Sequence, residues 1–508
     1  IYLPNEFTPT RFNDIHNYPG PFINERLFNG FLTIGMTDEE KKQKGLNVRT
    51  PGRNVVPGLM SFVSELGYGS FPNLIANNRR FQADGNPLTP AFRYHQRLEA
   101  GQKRVLKESG FSNLYPDLEQ FCLDQQLIHG TANKRMIEAV RCNPDVSGYC
   151  IHALAAGDWI LGAGLLDLWR QPKSYAYEAT QAANQPRILA LRMLPRNVYA
   201  ARGTTLQVIG VNDLDSLASQ LTVDIFSEDG RNVLSKRIDV DWNAGVSTLA
   251  EQRLNTAAWR GDYTVKVRAT QSDGSKVAEN AYTFSVFSAQ DLAQPETQVA
   301  VLDVKGSLTR FLKNQNIAAS TFDSTTLLET PVLVANVAIN DPGSRPRFEE
   351  LVAFIKRGGN AVYLQTVYGP AREGDRIAST ALPFTGVVKP AKGLWTCIPH
   401  LIKDHPIFAG LPRGAMMRDI YENVWATETL LNYQGEPIVA SIGFDWFSPD
   451  HKMHYSGPGA SWGGSDLAIS SYGKGRVIVS HLRLIDNLGK DPVADKILFN
   501  LIRYVGRP

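Results

Sequence analysis

Cysteine is scarce in this chain. Four occur in 508 residues (Cys122, Cys142, Cys150 and Cys397), and none sits in a CxxC pair. That excludes a disulfide framework and makes structural zinc an unsuitable reading. One disulfide among the first three stays compatible with their spacing, so the redox compartment is left open. No run approaches the roughly 18 uninterrupted apolar residues of a membrane-spanning helix. Neither sign of charge is in marked excess: 53 basic against 50 acidic side chains gives a net +3. Such a balance argues against a surface that wraps a nucleic acid. There is no phosphate-binding G-x-x-x-x-G-K-[ST] loop, no Rossmann fingerprint, no repeat of 20–50 residues and no low-complexity segment. The opening Ile1-Tyr2-Leu3-Pro4-Asn5-Glu6 has no initiator Met, basic n-region or apolar h-region, so it does not read as a signal peptide.

What is present is ordinary globular protein, 43% hydrophobic and 20% charged. At about 100–200 residues per domain, the length predicts about three domains. Composition divides the chain into blocks 1–186, 187–290 and 296–508. In the first, Met60–Ser64 and Val146–Ile151 read as buried strands. Between them, Leu114–Arg141 carries Leu118, Phe121, Cys122, Ile128, Met136, Ile137 and Val140 at helical spacing. Strand, long helix and strand in succession predict a parallel α/β unit. The second block alternates with period two in Thr205–Val211, Leu221–Phe226 and Tyr263–Arg268. Turn signals at Glu228–Gly230, Asn243–Gly245 and Ser272–Gly274 separate these runs, predicting an immunoglobulin-like β-sandwich. The third block returns to α/β. Gln298–Leu302, Val332–Ala335, Ala361–Leu364 and Arg476–Ser480 read as strands, Phe348–Arg357 as an amphipathic helix closed by Gly358-Gly359, and Pro492–Tyr504 as a last helix. A flavodoxin-like layered domain is expected there.

Three phrases of the first block belong together. They are Asn13-Asp14-Ile15-His16-Asn17-Tyr18-Pro19-Gly20-Pro21, then Phe62-Val63-Ser64-Glu65-Leu66-Gly67-Tyr68-Gly69, then Ser147-Gly148-Tyr149-Cys150-Ile151-His152 running to Gly157-Asp158-Trp159 and Gly164–Asp167. In order and wording they resemble the last third of the catalytic barrel of family 2 glycoside hydrolases, the β-galactosidase/β-glucuronidase/β-mannosidase group. Arg170-Gln171-Pro172-Lys173 followed by Tyr175 resembles that barrel's exit. The resemblance implies strands six to eight of a (β/α)8 TIM barrel, with Glu65 as the nucleophile at the end of the seventh. A Glu at the carboxyl end of a barrel strand, with glycines after it that let the loop turn, lies where barrel active sites lie. The resemblance also makes His16, Tyr18, Tyr68, His152 and Trp159 substrate-binding residues, Tyr18 close to Glu65 and Trp159 a sugar-stacking platform. The plainer readings are a Glu paired with an Arg, a Pro-Gly turn at Tyr18, a hydrogen-bonded core histidine and a helix-capping indole.

A retaining glycosidase needs a second carboxylate about 5–5.5 Å from the nucleophile. Asn5-Glu6 copies the family's acid/base dipeptide, but one βα unit needs about 30 residues, so a fifth strand does not fit between Glu6 and Asp14. The acid/base is therefore expected outside these residues. A barrel typically takes about 250 residues, so block 1–186 is expected to be a piece of one, completed by an N-terminal remainder or a companion chain. The last block resembles a class I glutamine-amidotransferase-like domain, here degenerate. The strand Ala361–Leu364 runs into Gln365–Gly369 without the Gly-x-Cys-x-Gly elbow, and Cys397 lies elsewhere. Asp450, His451 and His454 have no known metal-ligand spacing and read as a polar loop. The expected activity is hydrolysis of terminal β-linked sugars, of β-galactoside or β-glucuronide type, by double displacement on an oligo- or polysaccharide. No cofactor, metal, nucleic acid or membrane span is expected. A homo-oligomer is compatible, and family habit points to the periplasm or the cell exterior. The rival class is a non-catalytic carbohydrate-binding or scaffolding subunit with a remnant barrel.

Overall fold

The computed structural model describes residues 12–52, 55–85, 88–155, 162–336, 345–364, 376–377, 382–391, 396, 398–445 and 458–506. The chain is mixed α/β and divides into two units. One holds residues 1–91, 119–288 and 394–397; the other holds 92–118, 289–393 and 398–508.

The first unit begins with a strand of alternating burial, β1 (Asn13–Asn17), followed by helices α1 (Glu25–Leu32) and α2 (Asp38–Gln43). Strand β2 (Ser61–Leu66) and helix α3 (Leu74–Ala83) come next. Helix α4 (Pro90–Glu108) groups with the second unit from Phe92 onward. Helix α5 (Leu118–Arg141), strand β3 (Val146–Ile151) and helix α6 (Ala176–Ala183) complete this part. Helix α5 starts at Leu118, not at Leu114 as the apolar spacing predicts. Proline at 116 drives the residue before it away from helical backbone, and residues 112–117 form turns instead. The three strands form one parallel sheet in the order β1-β2-β3. Cys122 and Cys142 are buried and, like Cys150, free, so the disulfide that their spacing allowed is not made. Burial raises the Cys142 thiol to about 12, which keeps it protonated and inert.

Eight strands follow: β4 (Arg187–Leu194), β5 (Asn197–Tyr199), β6 (Thr204–Asn212), β7 (Leu217–Ser227), β8 (Asn232–Trp242), β9 (Gly245–Leu254), β10 (Gly261–Thr270) and β11 (Lys276–Phe287). They pair as β5-β11-β10-β7-β8 and β4-β6-β9, antiparallel throughout except for β5 on β11. Their inward residues, among them Leu191, Val208, Leu221, Trp242 and Val265, share one core. That is the consequence of period-two alternation, which gives each sheet one apolar face to bury.

An ion network joins the helices to these sheets within the unit. Arg135 of α5 and Arg192 of β4 each place a guanidinium nitrogen 2.6 Å from the Glu25 carboxylate. Both guanidinium carbons lie over the Phe28 ring, at 4.2 and 4.8 Å. Arg135 also donates to the Leu191 carbonyl at 2.5 Å, and Asn280 of β11 donates to Glu138 at 2.8 Å and to the Leu189 carbonyl.

The second unit has strands β12 (Val299–Asp303), β13 (Ala319–Thr321), β14 (Val332–Ala335) and β15 (Ala361–Leu364), with helices α7 (Ser307–Asn314) and α8 (Arg345–Arg357). They build the parallel half of a mixed twelve-stranded sheet, in the order β13-β12-β14-β15, continued by Gly475–Ser480. Ser461–Tyr472 then pairs antiparallel, and α9 (Pro492–Val505) closes the chain behind an Asp491 cap. Among the described residues no helix is long and apolar enough to cross a membrane.

The Glu25 network generates a stability prediction. Glu25→Gln removes the carboxylate that Arg135 and Arg192 share, leaving Arg192 without a counter-charge and Arg135 with only the Glu138 carboxylate at 3.6 Å, and breaking such a set costs about 3 kcal/mol. In urea titration followed by circular dichroism, the transition of the first unit should move to lower denaturant. An unchanged midpoint would show that the network holds nothing together.

Candidate active site

The site stands at the carboxyl ends of β1, β2 and β3, and a register irregularity creates it. Asp14 pairs with Phe62 and His16 pairs with Glu65, so two steps along β1 match three along β2. The same extra residue appears against β3, where Val63 pairs with Tyr149 and Leu66 with Ile151. Strand β2 therefore carries a bulge, a device that re-aims a side chain. Strict alternation would send Glu65 to the same side as Val63. Instead Val63 and Leu66 are the buried residues, and Ser64 and Glu65 both address β1. Ser64 Oγ donates to the Asp14 carboxylate. His16 Nδ1 lies 3.2 Å from Glu65 Oε2.

The Glu65 side chain is 30% exposed, open enough to meet a ligand, while that of His16 is 18% exposed. Burial lowers the His16 pKa from its ordinary 6.5, and the opposing charge of Glu65 offsets part of this. With Nδ1–H assigned as donor to the carboxylate, Nε2 is the basic nitrogen. It is buried and without a hydrogen-bond partner among the described residues. The Tyr18 ring stands edge-to-face between two imidazoles, 6.5 Å from His16 and 5.8 Å from His152. His152 follows β3 directly, donates its backbone N–H to the Leu66 carbonyl at 2.8 Å, and precedes a cis peptide to Ala153. A Cβ on Gly67 would come within 2.5 Å of the His152 carbonyl oxygen, so only glycine allows the β2 and β3 ends to approach this closely.

Of the residues expected from the sequence, the fold brings together His16, Tyr18, Glu65 and His152. Tyr68 is 5% exposed, and its ring packs where a Cβ on Gly20 would stand. Trp159 and Glu6 lie outside the described residues, as do Cys397, Asp450, His451 and His454. Among the described residues no group of three or more His, Cys, Asp or Glu is arranged to hold a metal.

Sequence reasoning missed what holds the loop after β2. Buried polar side chains of α5, at spacings of four, satisfy its backbone. Gln125 Oε1 accepts from the Phe71 N–H at 3.1 Å, Asn133 Oδ1 accepts from the Tyr68 N–H at 3.0 Å, and Gln126 donates to the Phe71 carbonyl. His129 Nδ1 meets Ser70 Oγ, and its Nε2 accepts from the Asn133 amide, both at 3.0 Å. Burial holds His129 well below its ordinary pKa and therefore neutral, consistent with an assigned Nδ1–H tautomer. The signal was available: Gln125, His129 and Asn133 recur at spacings of four and form a polar ridge along one side of the helix.

The second unit holds another set of reactive residue types. His400 Nδ1 lies 2.7 Å from Asp466 Oδ2, and Ser441 Oγ donates to both Asp466 oxygens at 2.8 and 2.9 Å. A hydrolytic triad needs its serine on the imidazole nitrogen away from the aspartate. Here serine and aspartate share one nitrogen, and all three residues are buried, so the set is a core polar network.

No family model matches the chain, and no curated protein matches it. Solved structures do. A β-D-mannosidase from Dictyoglomus thermophilum aligns at 21% identity over 57% of this chain and 32% of its own, with a TM-score of 0.36. An exo-chitosanase from Amycolatopsis orientalis aligns at 16% identity over 56% and 31%, with a TM-score of 0.32. A β-glucuronidase from Bacteroides uniformis aligns at 12% identity over 36% and 27%, with a TM-score of 0.16. The chain thus spans about a third or less of the length of each.

The His16–Glu65 pair has a measurable signature. In an NMR titration His16 should titrate below 6.5. Because the Glu65 charge raises its pKa, Glu65→Gln should move the midpoint lower still. A midpoint that stays put or rises in the variant would refute the contact.

Proposed function

We propose that this chain carries the nucleophile-bearing part of a retaining β-glycosidase acting on terminal β-linked sugars of β-galactoside or β-glucuronide type. The observation that carries the reading is the half-open Glu65 carboxylate at the carboxyl edge of a parallel sheet, one oxygen held by His16 and the surroundings walled by Tyr18 and His152. The resemblance of the phrases around His16, Glu65 and His152 to family 2 glycoside hydrolases supports the same reading. On it, β1–β3 correspond to barrel strands six to eight, β4–β11 to an immunoglobulin-like sandwich, and the second unit in large part to a degenerate amidotransferase-like domain.

In the proposed reaction Glu65 attacks the anomeric carbon as the bond to the leaving oxygen breaks. A carboxylic acid beyond the described residues, in an N-terminal remainder or a companion chain, gives its proton to that oxygen. Water then attacks the glycosyl–Glu65 ester, loses a proton to the same carboxylate, and releases the sugar and the Glu65 carboxylate. His16, by engaging Oε2, orients the carboxylate so that the other oxygen meets the sugar.

Two assays test this. Native protein is offered nitrophenyl β-galactoside, β-glucuronide, β-mannoside and β-glucosaminide, and Glu65→Gln should lower kcat on the preferred substrate by at least about 10⁴-fold, the scale of losing a covalent nucleophile. The matching 2-deoxy-2-fluoroglycosyl fluorides need no proton donor to depart, so they report on Glu65 without the acid/base. Mass spectrometry should find one adduct, on the peptide containing Glu65, and none in Glu65→Gln. No turnover and no adduct with any sugar of the panel would leave the non-catalytic scaffold as the function.

A further inference from the structure

We propose that Lys173 is a positioning residue for Glu65: its ammonium ties the loop that follows β2 to the segment that follows β3, and thereby fixes the strand ends that form the site. Lys173 lies 108 positions further along the chain and makes no hydrogen bond or ion pair with His16, Tyr18 or Glu65. It is 2% exposed. Its Nζ donates to three backbone carbonyls: Ser70 at 2.7 Å, Gly162 at 3.0 Å and Ala163 at 3.3 Å. Among the described residues no carboxylate stands within ion-pair distance of it.

Taking an ammonium out of water costs several kcal/mol, and here carbonyl dipoles alone meet it at close range. Ser70 is where the ties converge. Its N–H donates to the Gly162 carbonyl at 3.0 Å, its carbonyl accepts from Lys173, and its hydroxyl meets His129. Ser70 is joined to Glu65 through Gly67, the residue pressed against His152. The clamp therefore fastens the β2 loop to the β3 side, where His152 stands.

The groups around the ammonium do little to hold its charge. His129 on α5 is neutral, and the charges of Asp167 on the preceding loop and then Cys122 on α5 raise the Lys173 pKa less than burial lowers it. Burial brings Lys173 down to about 7 from its ordinary 10.5. A neutral amine has two N–H groups for three carbonyls, so it is the charged form that satisfies the site.

The role in catalysis rests on the glycosidase reading; the clamp itself does not, and the test separates them. Lys173→Met fills similar space without charge, and Lys173→Ala leaves room for n-propylammonium to replace the missing side chain. Labelling of Glu65 by the preferred fluoroglycosyl fluoride should slow about 10–100-fold in both variants, the scale of a displacement near 1 Å. Hydrogen exchange should quicken in residues 66–72 and 162–166 but not in β7–β11. Propylammonium should restore both readouts in Lys173→Ala, and n-propanol should restore neither. Labelling of Lys173→Met at the wild-type rate, or equal rescue by propanol, would overturn the positioning role. If the wild-type chain takes no label, the glycosidase reading fails, and unchanged exchange in Lys173→Met would overturn the clamp independently. If neither variant folds, the wild-type Ser70 amide, which donates to the Gly162 carbonyl that Lys173 also engages, decides: protection equal to that of β2 supports the clamp, and exchange at the rate of an open loop overturns it.

Discussion

Buried backbone must be hydrogen-bonded, and the segment after β2 is buried without belonging to a helix or a sheet. Everything proposed for Glu65 depends on how that is resolved. Most of the partners come from side chains: the amides of Gln125, Gln126 and Asn133 and the ammonium of Lys173 meet the backbone, the His129 imidazole meets the Ser70 hydroxyl, and the Gly162 carbonyl accepts from the Ser70 N–H. Each side chain is costly to bury, and each hydrogen-bonds the loop through at least one polar atom. Such reciprocal networks favour a single arrangement, because any alternative leaves several polar groups without partners at once. A strand end held in this way is a rigid platform, as a reacting carboxylate requires.

The bulge in β2 contributes the second constraint. One extra residue between Phe62 and Leu66 puts Ser64 and Glu65 on the β1 side and returns Leu66 to the buried side. Without it, the carboxylate would face the apolar layer, where its desolvation would be prohibitive. The bulge and the polar loop beyond it act on the same few residues: one turns Glu65 toward His16, and the other keeps the turned strand from relaxing.

The first unit also shows how a carboxylate serves structure and not chemistry. Glu25 is held by two arginines lying on Phe28, with both oxygens engaged. Glu65 is met by His16 alone among the described residues and remains part-exposed. The two glutamates are alike in composition and opposite in use, and what separates them is the number of cations that reach each. The same contrast applies to His400, Ser441 and Asp466, whose residue types suggest catalysis and whose shared nitrogen and burial remove it.

Much of this protein was legible from local pattern. Alternation located the strands of the second block, because period-two burial is a property of a strand and its immediate neighbours. The run from Phe348 to Leu364 announced a helix, its Gly-Gly stop and the next strand for the same reason. Helix α5 was placed by its apolar stripe, and only its start was missed, where Pro116 overrode the spacing. The sequence by itself also brought forward His16, Tyr18, Glu65 and His152, since their flanking words could be read together. It did not determine the face on which Glu65 lies, because a bulge is defined by the register of two neighbouring strands, and register is not a property of one segment. Nor did it reveal that Lys173 closes the loop five residues beyond Glu65, because a buried cation is recognised only by the carbonyls that distant chain brings to it. Local sequence decided which elements form; the pairing of those elements, and the cost of burying a polar group without a partner, decided which side chains meet.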